Sequence, residues 1–142
     1  MDVPSSEVAL RARGISKSFV SGSGELRVLK EIDLEVARGE MLAITGASGV
    51  GKSTLLHILG TLDRPTAGEL EIESVDVLRL GGDDLSDFRN RNIGFVFQFH
   101  NLLPEFTALE NAMLPGMIAA EAERGLRPVS YTHLTLPTKR IV

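Results

Sequence analysis

The chain has 142 residues, a formal net charge of −4 and 24% charged residues, so its overall charge does not indicate a general nucleic-acid-binding protein. It contains no cysteine, which excludes disulfides and cysteine metal sites. No apolar run approaches the roughly 18 residues of a membrane span, and residues 1–14 lack the apolar core of a signal peptide. These properties predict one domain with no membrane span of its own.

The N-terminal part of the chain predicts strands. Residues 8–20 alternate partially between apolar and polar, which is typical of a strand, and residues 21–25 form a polar loop. Residues 28–36 alternate again and predict a second strand. Residues 41–45 form a short apolar run between turn signals, which predicts a buried strand.

The residues that follow Met41–Thr45 contain a complete phosphate-binding loop motif. Gly46-Ala47-Ser48-Gly49-Val50-Gly51-Lys52-Ser53 matches G-x-x-x-x-G-K-S, and Thr54 adds a second hydroxyl. Apolar residues then recur at helical spacing up to Gly60, which stands where a helix cap belongs. A strand, a glycine-rich loop and a helix in this order are the context that the motif requires.

The motif has a chemical rationale for each type of residue. Gly46, Gly49 and Gly51 let backbone N–H groups approach a triphosphate without an obstructing Cβ. The next helix directs free amides and the positive end of its dipole at the same place. Lys52 can reach the β and γ phosphates, and the Ser53 hydroxyl can ligate Mg²⁺. The motif therefore predicts that a nucleoside triphosphate binds here with Mg²⁺.

Strands and helices alternate after the motif. Residues 63–68 predict a turn, residues 69–80 one or two short strands, and residues 84–90 a short helix. Residues 93–97 predict a second buried strand.

A loop over residues 98–106 follows that strand. Thr107 and Glu110 then form a capping box that predicts the start of a helix. His57 and His100 have no neighbouring ligands at metal-binding spacing, so we predict no metal site at either histidine.

Three features together resemble the ATP-binding subunits of ABC transporters, over roughly residues 8–120. They are the loop wording T-G-A-S-G-V-G-K-S-T-L-L, the aromatic Phe19 upstream, and Gln98 directly after an apolar segment. The resemblance implies an α/β P-loop NTPase fold with an N-terminal antiparallel β subdomain. It also implies that Phe19 stacks on adenine, and that Gln98 approaches Mg²⁺ and the attacking water.

The wording F-Q-F-H-N-L-L-P-E-F-T-A-L-E-N of residues 97–111 resembles a narrower group within this family. That group powers the release of lipoproteins from the bacterial inner membrane. The resemblance implies a homodimer on the cytoplasmic face of that membrane, with transmembrane permease subunits as partners and segment 99–106 facing them. ATPases of macrolide export and of cell division share much of the wording and remain alternatives.

The family's hydrolytic machinery is incomplete in these residues. The chain contains no L-S-G-G signature and no apolar run ending in Asp-Glu. We therefore expect these residues to bind ATP weakly or not at all and not to hydrolyse it. We divide the chain into residues 1–127, the N-terminal part of an ABC ATP-binding domain, and residues 128–142, a non-native tail. The tail resembles a peptide translated from sequencing-adapter DNA, so Tyr131 and His133 receive no role.

Two alternatives from other classes remain open on the residues alone. One is a soluble P-loop kinase or GTPase, against which Phe19, Gln98 and the strand-rich N-terminus argue. The other is a nucleotide-binding module without catalysis.

Overall fold

The computed structural model describes residues 8–22, 24–98 and 101–123. The chain divides into two compact units between Arg89 and Asn90, and each unit is described by itself. The expected tail at residues 128–142 lies outside the described residues, as does His100.

An antiparallel sheet is the main element of the first unit. Strand β1, Val8–Ser21, pairs on one edge with β2, Gly24–Ala37, and on the other with β3, Ala67–Ile72. The short strand β4, Val75–Asp76, completes the order β2-β1-β3-β4. The predicted N-terminal antiparallel subdomain is therefore confirmed. The second strand begins earlier than predicted, because the ladder continues to the Ser21–Gly24 pair and includes part of the predicted loop.

The phosphate-loop motif leads into helix α1, Lys52–Leu59. Leu55, Ile58 and Leu59 lie on its buried face, as the helical spacing predicts. Burial of these side chains supplies the main stabilisation of such a short helix. The buried apolar residues of the described chain all belong to the first unit: Val8, Ala12, Ile15, Leu29, Leu55, Ile58, Leu59, Leu70, Ile72 and Val77.

Helix α1 ends in a Schellman turn. The Thr61 N–H donates to the Ile58 carbonyl at 2.9 Å and the Leu62 N–H donates to the His57 carbonyl at 2.8 Å. Gly60 is the C-cap, as predicted, but the left-handed residue of the turn is Thr61, with φ 60°. A β-branched residue rarely adopts this conformation, and the buried Thr61 hydroxyl has no hydrogen-bond partner in the described structure. The turn therefore carries local strain.

The short strands predicted within residues 69–80 correspond to β3 and β4, but the strand prediction was wrong for residues 77–79. β3 and β4 are joined by Glu73 and Ser74, which both have positive φ, and residues 77–79 form a 3₁₀ turn. Helix α2, Gly82–Asn92, begins two residues before the predicted helix and ends two residues after it. The predicted turn at residues 63–68 is shorter than expected, because β3 begins at Ala67.

The two predicted buried strands do not form ladders. Residues 41–45 and 93–97 belong to no strand, and Met41 and Val96 are 97% and 103% exposed. The prediction of buried strands here was wrong, because no strand of the described chain pairs with either segment. An unpaired segment cannot bury its backbone N–H and C=O groups without losing hydrogen bonds to water.

Helix α3, Ala108–Glu123, lies in the second unit and starts at the predicted capping box. The Thr107 N–H donates to Glu110 Oε2 at 2.8 Å, and the Glu110 N–H donates to Thr107 Oγ1 at 3.3 Å. The capping box is therefore confirmed. Among the described residues, no helix combines the length and apolar composition that a membrane crossing requires.

Candidate functional site

The phosphate loop has the backbone conformation that its glycines allow. Gly46, Gly49 and Gly51 all have positive φ. Gly51 is the N-cap of α1 with φ 103°, and a Cβ there would lie 2.9 Å from Val28 Cγ1 and 3.0 Å from Leu29 Cδ2. A larger residue at position 51 would therefore be strained in its backbone and would push the loop away from β2.

The Lys52 side chain turns back under the loop. Its Nζ donates to the Gly46 carbonyl at 2.9 Å and to the Ala47 carbonyl at 2.6 Å. The ammonium is therefore held next to the loop backbone, where it adds positive charge to the site.

The N-terminus of α1 carries no opposing negative charge. No side chain caps the helix, and its first turn contains no acidic residue. The free amides and the positive end of the helix dipole are therefore available to an anion. Ser53 and Thr54 place hydroxyl groups in the same turn, so this part of the chain fits a phosphate chain with its Mg²⁺.

An open cleft of about 510 Å³ joins the loop to the sheet. Its lining residues come from β1, β2, the loop and α1: Phe19, Leu26, Val28, Ser48, Gly49, Gly51, Lys52, Ser53 and Thr54. The volume lies in the range of small-molecule sites, roughly 300–1,000 Å³. The cleft thus brings Phe19, which is 43% exposed, together with most of the predicted phosphate-binding residues.

Sequence reasoning missed two residues of this cleft, Leu26 and Val28. Both stand on β2, where positions two apart share a face, and Leu26 pairs with Phe19 across the hairpin. The alternating pattern predicts β2 only over residues 28–36, and Leu26 lies before that pattern, next to the polar residues 21–25. The signal for Leu26 was therefore the hairpin register.

The remaining predicted site residues are not among those that line this cleft. Gly46 and Ala47 belong to the loop and accept hydrogen bonds from Lys52. Val50 lines a neighbouring concavity on β2 together with Leu26 and Lys30. Gln98 lies in the second unit, exposed at a bend after residues 93–97.

The donor set of the first unit suits a metal ion that arrives with the nucleotide. The described residues contain no group of three or more His, Cys, Asp or Glu side chains able to hold a metal. Ser53 offers one hydroxyl, and Mg²⁺ commonly keeps water and phosphate oxygens as its other ligands. The histidine His57 is exposed on α1 and belongs to no such group.

The second unit has its own apolar groove, of about 730 Å³. It lies between the loop before α3 and the first turns of that helix, and it is lined by Asn101, Leu102, Leu103, Glu105, Phe106, Asn111, Leu114, Pro115 and Ile118. Asn111 holds the loop in place, because its side-chain amide donates to the carbonyls of Leu103 and Phe106 and its Oδ1 accepts from the Leu103 N–H. Leu102 and Leu103 remain 60% and 41% exposed. The loop thus presents apolar side chains to solvent on an ordered backbone.

The sheet, the glycine loop and the helix define a P-loop nucleotide-binding protein. The sequence model of the ABC transporter family matches residues 29–140. The chain therefore belongs to the ABC transporter family.

Curated relatives narrow this family. The chain is 59% identical over 110 residues to the lipoprotein-releasing system ATP-binding protein LolD of Geobacter metallireducens, covering 78% of this chain and 49% of that protein. It is 52% identical over 131 residues to LolD of Bacteroides thetaiotaomicron, covering 89% of this chain and 58% of that protein. The chain spans about half the length of the curated relatives it matches.

The fold is that of solved ABC ATPases. The dimeric post-hydrolysis structure of the ATP-binding cassette MJ0796, bound to ADP and Pi, superimposes with a TM-score of 0.74 at 41% identity. The match covers 78% of this chain and 47% of that cassette. The predicted fold class, an ABC-type P-loop fold with an antiparallel β subdomain, is confirmed.

Proposed function

We propose that the chain is the nucleotide-binding part of an ABC transporter subunit, which couples ATP hydrolysis to the release of lipoproteins from the bacterial inner membrane. The observation that carries the proposal is the cleft that joins Phe19 to the phosphate loop. The aromatic ring of Phe19 can contact the base of a nucleotide, and the phosphate loop can bind its phosphates. The relatives are named lipoprotein-releasing system ATP-binding proteins, and these names support lipoproteins as the transported substrate.

The residues divide the work of binding. The α1 amides, the glycine loop and Lys52 bind the phosphates, and Ser53 ligates Mg²⁺. The exposed Phe19 ring stacks on adenine, and Leu26 and Val28 cover the apolar side of the cleft. In the whole protein, the family resemblance implies that Gln98 would approach Mg²⁺ and the attacking water. When bound, Mg²⁺ neutralises the charge that develops on the phosphates.

The chain itself is proposed to bind ATP without hydrolysing it. Its 142 residues contain no L-S-G-G and no Asp-Glu after an apolar run. Phosphoryl transfer depends on positioned charges, so a site without these groups loses most of its rate. In the whole protein a second copy supplies the signature motif, on the cytoplasmic face of the membrane.

Calorimetric titration with Mg-ATP tests the site. Lys52→Ala removes the loop cation and should weaken binding by about 1.5–3 kcal/mol, or roughly 10- to 150-fold in Kd. Lys30→Ala removes an equally charged, exposed residue of β2 and should leave Kd unchanged. Equal affinities in the two variants would exclude the proposed site. Magnesium-dependent phosphate release that Lys52→Ala abolishes would contradict the proposed lack of turnover.

The groove of the second unit is proposed to receive the transmembrane subunit. Its exposed Leu102 and Leu103, on a loop ordered by Asn111, offer an apolar contact that a monomer leaves in water. In the whole transporter, Leu102→Asp should reduce co-purification of the membrane subunits while Mg-ATP binding persists. Full co-purification with this variant would argue against the groove.

A further inference from the structure

The ammonium group of Lys17 donates hydrogen bonds to two acceptors of neighbouring residues. Its Nζ donates to Asp63 Oδ1 at 2.7 Å and to the Arg64 carbonyl at 2.7 Å. Its side chain is only 12% exposed. A lysine ammonium on the protein surface is usually mobile, whereas this one is fixed by two short acceptors.

The acceptors lie at the end of the phosphate helix. Asp63 and Arg64 directly follow the Schellman turn of α1, whose N-terminus begins the phosphate site. Asp63 is itself oriented, because its Oδ1 also accepts from the Arg64 N–H at 2.7 Å. The Lys17 hydrogen bond keeps the pKa of the Asp63 carboxyl below its ordinary value of 3.8, so this carboxyl is ionised at neutral pH.

The same ammonium lies over the Phe19 ring. Lys17 Nζ is 5.1 Å from the ring centroid, within the distance of a cation–π interaction. Phe19 lines the nucleotide cleft, and Lys17 is not among the residues that line it. The ring therefore has an anchored cation next to it, while Phe19 stays 43% exposed.

We propose that Lys17 is a positioning residue for the Phe19 ring: anchored at the end of the phosphate helix, its ammonium holds the ring in the orientation that stacks on a purine base. The proposal rests on the proposed function, since it concerns the base end of the same cleft. A ring fixed before binding loses less conformational entropy when the base stacks. A nearby cation also draws electron density from the ring, which favours stacking of an electron-rich base on it.

A purely structural ion pair predicts a different result. If Lys17 and Asp63 only connect β1 to the α1 turn, breaking the pair lowers the stability of the fold. The affinities for ATP and for tripolyphosphate would then fall by the same factor. A positioning role lowers the base contribution alone. Magnesium tripolyphosphate, which has the phosphates without the base, separates the two roles.

The first experiment needs no nucleotide. Aromatic carbon NMR of the whole chain follows the Phe19 ring, identified by the signal lost in Phe19→Leu. Lys17→Met should lower the order of this ring, and Lys17→Arg, which keeps a cation, should preserve it. Lys30→Met is the matched control on β2. An unchanged Phe19 ring in Lys17→Met would overturn the proposal whether or not ATP binds.

The second experiment measures the consequence for binding. Lys17→Met should raise the Kd for Mg-ATP about two- to fivefold, as expected for a cation–π contact, with the Kd for tripolyphosphate unchanged. Asp63→Asn, which weakens the ion pair with Lys17, should also raise the Kd for Mg-ATP. In a Phe19→Ala background, Lys17→Met should add no further loss.

The outcomes separate the two proposals. If the wild-type chain binds tripolyphosphate and ATP equally and Phe19→Ala changes neither affinity, the base site of the proposed function fails. If Phe19→Ala weakens ATP but Lys17→Met lowers both affinities together, or adds its full effect in the Phe19→Ala background, Lys17 is structural and the inference is overturned.

Discussion

The antiparallel sheet and the two apolar segments at residues 41–45 and 93–97 all contain apolar side chains, but they differ in pairing and burial. Strand β1 is paired along both edges, and Leu70 on β3 is 1% exposed. In the unpaired segments, Met41 and Val96 are almost completely exposed. Apolar residues are therefore buried in strands only where a neighbouring strand pairs with their segment.

Chain topology explains this difference. β1 and β2 form a hairpin, so each finds its partner directly along the chain. Buried strands of an α/β sheet are parallel, and parallel neighbours require a crossover connection before they pair. A short apolar run of that type has no local partner. Its burial is a property of the whole sheet and cannot be read from the run itself.

Truncating one leucine in each region gives the largest expected contrast. Leu70→Ala should lower the free energy of unfolding by about 2–5 kcal/mol, because the side chain is fully buried and leaves a cavity. Leu42→Ala, at a residue 47% exposed in the unpaired segment, should cost less than about 1 kcal/mol. Urea denaturation measures both. Comparable losses would mean that residues 41–45 are packed in solution and would break the comparison.

Two glycines, one in the sheet and one in an unpaired segment, test the same contrast through backbone contacts. A Cβ on Gly68, where β3 begins, would lie 2.7 Å from the carbonyl oxygens of Arg13 and Gly14, at φ 112°. Gly68→Ala should therefore destabilise the chain by about 1–3 kcal/mol. A Cβ on Gly94 would meet no atom within 4 Å. Gly94→Ala should stay within about 0.5 kcal/mol of wild type.

Thermal unfolding of the two alanine variants provides the measurement. A clear loss for Gly68→Ala with none for Gly94→Ala would support close strand packing in the sheet alone. If Gly94→Ala proved as costly as Gly68→Ala, residues 93–97 would have tight neighbours and the contrast would fail.

Features encoded over a few residues could be predicted from the sequence. The phosphate loop, helix α1, the Gly60 C-cap and the Thr107–Glu110 capping box each follow from neighbouring residues. The antiparallel subdomain was also expected, because predicted strands outnumber helices before the phosphate loop and the family resemblance implies it. In the cleft, the proximity of Phe19 to the loop came only from the family resemblance.

Properties that depend on distant contacts were not accessible. The exposure of residues 41–45 depends on the lack of a pairing strand. The contact between Lys17 and Asp63 joins positions 46 residues apart, and nothing in either local sequence indicates it. Leu26 entered the cleft through the hairpin register. Thr61 adopted a conformation that residue preferences assign to glycine, because the turn after α1 requires it.

The capping box of α3 gives the smallest expected effect and tests whether local encoding also governs the second unit. The Glu110 carboxylate accepts from the Thr107 N–H and, at 2.8 Å, from the Thr107 hydroxyl. The first of these hydrogen bonds is the main reason that the pKa of Glu110 lies below its ordinary value of 4.5. Glu110→Gln keeps an acceptor oxygen at the same position but removes the titration.

The direction of the pH dependence follows from that lowered pKa. Above pH 4.5 the carboxylate is ionised in the folded and unfolded chains, so its contribution to α3 is fully present. As the pH falls through the pKa of the folded state, the hydrogen-bonded carboxylate takes up a proton and the contribution is lost. Backbone chemical shifts of α3, followed from about pH 6 to about pH 3, should show loss of the first helical turn in wild type and a flatter profile in Glu110→Gln. Glu105→Gln removes an exposed carboxylate of the preceding loop. The pH profile of the α3 chemical shifts in this variant should match that of wild type. Parallel profiles in wild type and Glu110→Gln would show that contacts beyond the capping box hold the start of the helix.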